Sequence, residues 1–242
     1  MTTQRRILII IPTYNEKNTL PVIVEAIFDV ISDVHILVID DASPDGTGEL
    51  ADEMASSNER IKVLHRRGKL GLGTAYVEGF RYALKNDYDV IVEMDADMSH
   101  DPRYLPDLLE ALDDGADVAV GSRNIKGGGV EGWGIGRQVL SKGGSLYSRS
   151  VLGVSVRDLT TGYKAFTRRA LEVIGVDNIR SAGYSFQIET TYRAIRKGLK
   201  VVEVPILFVD RRVGQSKMSR RIFVEALMMA WKLRADAILG KL

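Results

Sequence analysis

The stretch "VIVEMDADMSHDP", Val90 to Pro102, decides the fold. An apolar run ends abruptly in Asp95-Ala96-Asp97, two carboxylates one residue apart where a buried strand runs out. A buried carboxylate without a partner is costly. These acids therefore stand in water at a turn, or a cation sits between them. In an extended segment, residues i and i+2 project to the same side, so both carboxylates can address one ion. Oxygen-only ligation suits Mg2+ or Mn2+, which reach a substrate phosphate through one or two carboxylates. The competing reading is a pair of acids capping the next helix. A two-letter D-x-D is commonplace; its place at a strand end is the informative part.

Outward from this stretch, short apolar runs alternate with amphipathic segments. Strands are predicted at 6–11, 35–40, 61–65, 89–95 and 117–122. Helices are predicted at 20–31, 47–57, 74–85 and 102–114. Buried runs alternating with amphipathic helices indicate an α/β fold with a mostly parallel central sheet flanked by helices. "NIKGGGVEGWGIG" (124–136) reads as too glycine-rich for regular structure, a long loop of the kind that serves as a lid. Beyond it the order is less regular. "TGYKAF" and a helix near 184–197 are followed by an apolar run at 200–210 and a terminal helix.

Ligands of parallel sheets bind beyond the carboxyl ends of the strands. There the chain carries "PTYNE", "DDASPDG", "DAD" and "GSR". Four polar loops at one sheet edge point to a binding cleft.

With 242 residues, 45% of them hydrophobic and 27% charged, the chain has the profile of a soluble globular protein with a sizeable core. It has no cysteine, which excludes disulfides and thiolate metal sites. The longest uncharged run, Ile7 to Asn15, is far short of the roughly 20 residues a spanning helix needs. No secretory signal is evident, so a cytosolic location is the default expectation. The net charge of +1 is uneven. Asp210 to Leu242 carries eight Lys/Arg against three Asp/Glu, leaving a net −4 on the rest. A basic tail on an acidic body suggests an anionic partner, or simply a solvated helix face.

Several motifs lead nowhere. Asp41, Ser43, Asp45, Gly46 and Asp52 have the spacing of a calcium-hand loop, but a strand precedes them where a helix is required. "GLGTAY" (71–76) lacks the third glycine of a dinucleotide fingerprint and follows the wrong strand. "GKLGLG" lacks the Gly-Lys-Ser/Thr end of a phosphate loop. His100 reads as a solvated loop residue.

Together, "IPTYNE" (11–16), "DDASPDGT" (40–47), "KLGLGTAY" (69–76), "MDADMSH" (94–100), "GSR" (121–123), "TTGYKAF" (160–166) and "VDRRVGQSK" (209–217) resemble family 2 glycosyltransferases of the GT-A fold. The nearest resemblance is to dolichol- or polyprenol-phosphate mannose synthases, over about residues 5 to 220.

The resemblance implies a single GT-A domain over 1–242. Its parts would be a nucleotide-sugar half at 1–122, an acceptor half at 123–215 and an amphipathic helix at 216–242. It implies that Pro12, Tyr14 and Glu16 form the first donor loop. Val38 and Asp40 hold base and ribose, and Asp95, Ala96 and Asp97 bind metal and diphosphate. Arg123, Arg137, Arg211 and Lys217 surround the phosphates and the acceptor, with Asp95, Asp97 and Arg123 the catalytic set. Ser99 stands where some relatives place a Gln metal ligand, which puts a third protein ligand in doubt.

The implied reaction moves mannose from GDP-mannose to a polyprenyl or dolichyl phosphate with inversion, using Mg2+ or Mn2+. It would take place peripherally on the cytoplasmic face of a membrane, with or without a membrane-anchoring partner protein. UDP-glucose stays open as donor, because guanine and uracil both offer an imino N–H to Asp40. A non-catalytic nucleotide-sugar-binding protein is the rival of another class. The acidic body and the lack of interleaved aromatics argue against nucleic acid. A phosphate acceptor arrives ionised, so no general base is expected. In the terminal helix, Phe223, Leu227, Met229 and Ala230 lie near one face with Trp231 close by, which suits an interfacial helix or plain packing.

Overall fold

A computed structural model describes residues 5–181, 183–210 and 220–242. Nine strands are described: β1 Ile7–Thr13, β2 His35–Asp40, β3 Ile61–His65, β4 Val90–Glu93, β5 Val118–Ser122, β6 Gly129–Glu131, β7 Lys164–Thr167, β8 Val201–Pro205 and β9 Leu207–Val209. The helices among the described residues are α1 Leu20–Val30, α2 Thr47–Ser57, α3 Leu72–Lys85, α4 Leu105–Asp113, α5 Ile135–Leu152, α6 Arg168–Ile174, α7 Tyr184–Arg196 and α8 Arg220–Ile238. A turn of 3-10 helix at Pro102–Tyr104 leads into α4, with the Asp101 side chain capping it.

Seven strands form one sheet in the order β3-β2-β1-β4-β7-β5-β8. Only β7 runs antiparallel to its neighbours, so the expectation of a mostly parallel sheet holds. Successive strand residues face opposite layers. Ile9, Ile11, Ile36, Val38 and Val92 pack with Leu20, Ile23 and Ile27 of α1 and Leu105 and Leu108 of α4. Leu8, Ile10, Leu37, Ile39 and Ile91 pack on the other face with Tyr76 and Phe80 of α3 and Phe186 of α7. A sheet covered on both faces explains why its strands read as unbroken apolar runs.

The structure departs from the sequence reading in three places. The glycine-rich stretch at 124–136 contains β6, which pairs in parallel with β9 in a small second sheet. Its glycines permit close backbone approach: a Cβ on Gly128 would collide with the Ser122 carbonyl. The apolar run 200–210 is two strands, with β8 in the main sheet and β9 in the small one. The strand predicted at 89–95 is also shorter, because β4 stops at Glu93.

Candidate active site

The carboxyl ends of β1, β2, β4 and β5 share one sheet edge. Asp40 closes β2 and is 2% exposed. Its Oδ1 accepts from the hydroxyls of Thr13 (2.9 Å) and Ser43 (2.6 Å), and its Oδ2 from the Ser43 N–H (2.9 Å). This stitches the loop after β2 to the end of β1, where Asn15 N–H donates to Ser43 Oγ at 3.1 Å. Pro12 lies inside β1, opposite Ile39. Glu16 N–H donates to Thr47 Oγ1 (3.0 Å), and its carboxylate accepts from Thr19 Oγ1 (2.9 Å). Tyr14 is half-buried with Lys69 Nζ 4.1 Å from its ring centroid. Val38 is fully buried within the core layer of Ile11 and Ile36, so its side chain has no surface in the cleft.

The calcium-like acids have other duties. Asp45 Oδ1 caps the first turn of α2 at Thr47, and Asp52 accepts from His65. Asp41 is buried against Arg66 at 2.7 Å. Burial raises its pKa, against the opposing pull of the Arg66 charge.

Beyond β4 the chain bends instead of staying extended, with Met98 at φ 64°. Extended-strand alternation therefore does not set Asp95 and Asp97. Asp97 Oδ1 accepts the Ser99 N–H at 3.0 Å. Asp95 N–H donates to His100 Nδ1 at 3.1 Å, and Tyr76 OH donates to Asp95 Oδ1 at 3.4 Å. His100 is not a solvated loop residue: it is 2% exposed and stacks on Tyr163, centroids 4.9 Å apart. The sequence hid this because its apolar partners, Tyr163 and Phe208, are remote in the chain.

The donor set fits a hard divalent cation. Asp95 and Asp97 stand one residue apart in the bend, and the Ser99 hydroxyl beside Asp97 is buried with no hydrogen-bond partner among the described residues. Among the described residues no group of three or more His, Cys, Asp or Glu forms a closed cage. An ion held by two carboxylates alone would be completed by substrate phosphate and water.

Arg123 is 10% exposed at its side chain and bound to the fully buried Asp158. Nε donates to Oδ2 (2.7 Å) and Nη2 to Oδ1 (2.8 Å). Burial would raise the Asp158 pKa, but the Arg123 charge and hydrogen bonds outweigh it and lower it. Arg137 donates to both oxygens of Asp210 at 2.9 Å and lies 4.1 Å from the Trp133 ring. Trp133, Phe208 and Arg123 complete a cation–aromatic wall beside His100. Arg211 and Lys217 lie outside the described residues. Asp158, Lys69 and the aromatic wall escaped sequence reading. Asp158 stands just before "TTGYKAF", which was its one available signal.

The profile of "Glycosyl transferase family 2" matches residues 8–175. The chain belongs to glycosyl transferase family 2. This family 2 glycosyltransferase is 51% identical over 233 residues to a polyprenol monophosphomannose synthase of Mycolicibacterium smegmatis, covering 95% of this chain and 88% of the relative. It is 48% identical to an undecaprenyl-phosphate mannosyltransferase of Micrococcus luteus, covering 95% of each. Its fold matches GT-A structures. One is a glucosyl-3-phosphoglycerate synthase of Mycobacterium tuberculosis with Mn2+, UDP and glucosyl-3-phosphoglycerate, at TM-score 0.63 and 20% identity over 98% of this chain and 80% of that one. Another is a mannosyltransferase of Pyrobaculum calidifontis with GDP-Man and Mn2+, at TM-score 0.61 and 18% identity over 99% and 75%. No helix among the described residues is long and apolar enough to cross a membrane.

Proposed function

We propose that this glycosyltransferase moves mannose from GDP-mannose to a polyprenyl monophosphate, with inversion at the sugar carbon. The observation that carries the reading is near-half identity, along almost the whole chain, to two enzymes named for lipid-phosphate mannosyl transfer. The first half, 1–122, would take the donor, and 123–215 the acceptor. Asp95 and Asp97 would hold Mg2+ or Mn2+, which supplies Lewis-acid neutralisation of the departing diphosphate. Pro12, Tyr14, Glu16, Asp40 and Ala96 would line the nucleotide side, and Val38 would support it from the core. Arg123, preset by Asp158, would present its guanidinium to phosphate oxygens, the geometry for which arginine is suited. Arg137, Arg211 and Lys217 would receive the acceptor phosphate.

The second pKa of a phosphate monoester is about 6, so the acceptor needs no base at neutral pH. Membrane docking would use α5 and α8, which pack together. Trp231 Nε1 donates to Tyr147 OH at 2.8 Å, and the pair exposes Val139, Leu140, Leu146, Met228, Trp231, Ile238 and Leu239. The exposed Lys142, Lys232 and Lys241 suit anionic headgroups. The enzyme would then act on the cytoplasmic side of a membrane.

The test is incubation with a panel of radiolabelled nucleotide sugars, Mg2+ and short polyprenyl phosphates. Label entering the lipid phase only from GDP-mannose supports the proposal. Label from UDP-glucose alone, or from none, rejects it.

A further inference from the structure

Two arginine–carboxylate pairs meet the Trp133 ring, and they differ in how firmly they hold. Arg123 grips the fully buried Asp158 as a fork, with Nε on one oxygen and Nη2 on the other. Arg137 reaches Asp210 through one nitrogen: Nη1 serves both oxygens at 2.9 Å. Both side chains of this second pair are one-third exposed, against one-tenth for Arg123. Breaking a two-nitrogen fork away from water is costly, because it leaves a charge buried alone. An exposed pair made through one nitrogen contributes little and exchanges readily.

The backbone brings the open pair together. β6 and β9 end side by side, and the Asp210 N–H donates to Glu131 O at 3.0 Å. Gly132 follows with φ 82°, and a Cβ there would stand 3.1 Å from Asp210 Cβ. Asp210 therefore lies tight against the turn that leads into α5. Gln138 Nε2 donates to the Trp133 carbonyl at 3.0 Å, which ties that residue to the first turns of α5. The indole stands 4.1 Å from the Arg137 guanidinium and edge-on to Phe208. Arg137 thus has two holds of different kinds. Asp210 engages its donors, whereas the ring attracts the cation through its face. An anion that replaced Asp210 would find the guanidinium still seated on Trp133.

We propose that Asp210 is a positioning residue for the acceptor, an internal stand-in for its phosphate on Arg137 that is displaced when the lipid binds and returns when the product leaves. The inference rests on the acceptor reading above, in which Arg137 receives the lipid phosphate. Charge favours the exchange in the binding direction. A phosphate monoester carries about −1.5 to −2 at neutral pH, more than a carboxylate. The product is a phosphodiester with a single negative charge, so Asp210 returns on nearly equal terms. While the pair is closed, apparent affinity for acceptor and product alike is reduced by the fraction of Arg137 so engaged. Asp210 acts through Arg137 and touches no reacting atom.

The test is steady-state kinetics of the full chain with GDP-mannose and a short polyprenyl phosphate. Asp210→Asn keeps the shape and one acceptor oxygen but removes the competing charge. The KM for the acceptor is expected to fall about three- to tenfold, the scale of one exposed charge pair together with relief of its repulsion on the incoming phosphate. The inhibition constants of inorganic phosphate and of the mannosylated lipid, each measured against the acceptor, should fall with it. The KM for GDP-mannose should stay within about twofold, and kcat should not rise. In an Arg137→Gln background the same change should leave the acceptor KM where it is, since the two act as one unit. A carboxylate that merely supports Arg137 predicts the opposite sign. A raised or unchanged acceptor KM in Asp210→Asn therefore overturns the inference and leaves the acceptor reading intact. If Arg137→Gln alone keeps the wild-type acceptor KM, or the wild-type protein transfers to no polyprenyl phosphate, the acceptor reading fails and this inference falls with it. Should Asp210→Asn not fold, Asp210→Ser decides by the same signs.

Discussion

His100 Nδ1 accepts the backbone N–H of Asp95 at 3.1 Å, so the ring is a strut of the DxD bend. That bond places the proton on Nε2, which faces Asp95 Oδ2 at 3.8 Å. A ring with one nitrogen engaged by backbone and its face on Tyr163 is poorly placed to collect an acceptor proton. His100→Ala should therefore cost stability more than chemistry. Losing such a buried ring removes roughly 2 kcal/mol or more, about 4–8 °C of melting temperature at this chain length. Turnover should fall through loosening of Asp95 while its pH profile keeps its shape. Removing a true general base costs about 10²–10⁴-fold and deletes a limb of that profile. Loss of a limb in a folded variant that still binds Mn2+ would instead assign His100 as a general base.

Asp97 tests the metal assignment more cleanly than truncation would. Its Oδ1 accepts the Ser99 N–H, and an asparagine carbonyl can do the same. Asp97→Asn thus removes charge while sparing the bend. The expected result is a loss on the order of 10²-fold or more in rate with near-normal melting. Chelator should abolish transfer, and Mg2+ or Mn2+ should restore it. Full transfer in excess chelator rules the metal out.

Much of this architecture was legible because the sheet is covered on both faces. Runs such as Leu8 to Ile11 and Ile36 to Ile39 are apolar throughout, and polar residues stand where they stop. Three features were not legible. β6 and β9 pair only because the chain folds back over Ser122, a long-range event with no local periodicity. His100 looked exposed because neighbouring residues in sequence are acidic, while its packing partners are Tyr163, just before β7, and Phe208 of β9. The buried polar row of α7, with Gln187, Glu189, Thr190 and Thr191, reads as a solvent face until Lys164 is seen beneath it. In α8, Ala230 and Leu233 are buried and Met229 packs against them, whereas Trp231 is exposed, so Met229 and Ala230 belong to the packing face. The side chains of Phe223 and Leu227 lie outside the described residues.

Lys164 also predicts a pH dependence of stability. Its folded pKa, about 8, lies below the ordinary lysine value of 10.5. Between those values the unfolded chain binds more protons, so this group's contribution to stability rises with pH across that window. Below about 8 both states are charged, and the full burial penalty is felt. Denaturant titrations of wild type and Lys164→Met should therefore diverge between pH 8 and 10.5, with wild type gaining stability relative to the variant. Parallel curves across that window would mean that Lys164 titrates normally.

The last prediction concerns α5 and α8. Deleting α8 would be uninformative, because Ala230 and Leu233 share a core cluster with Leu152 of α5 and Ile188 and Tyr192 of α7. Removing them would unfold that cluster whatever its role at a membrane. The exposed side chains separate the two effects. Trp231 is 60% exposed, Ile238 74% and Leu239 63%, so changing them leaves the buried cluster intact. Trp231→Ala removes the indole donor to Tyr147 at an exposed site, a modest loss. The combined variant Trp231→Ala, Ile238→Ser, Leu239→Ser should keep its melting temperature within a few degrees of wild type. On vesicles of anionic lipid it should sediment less, since each apolar side chain withdrawn from the interface is worth about 1.5–3 kcal/mol at full burial. Transfer to a long-chain acceptor in those vesicles should drop at least tenfold, while transfer to a short soluble polyprenyl phosphate stays near the wild-type rate. Unchanged sedimentation and unchanged use of both acceptors would show that this face meets water and not lipid.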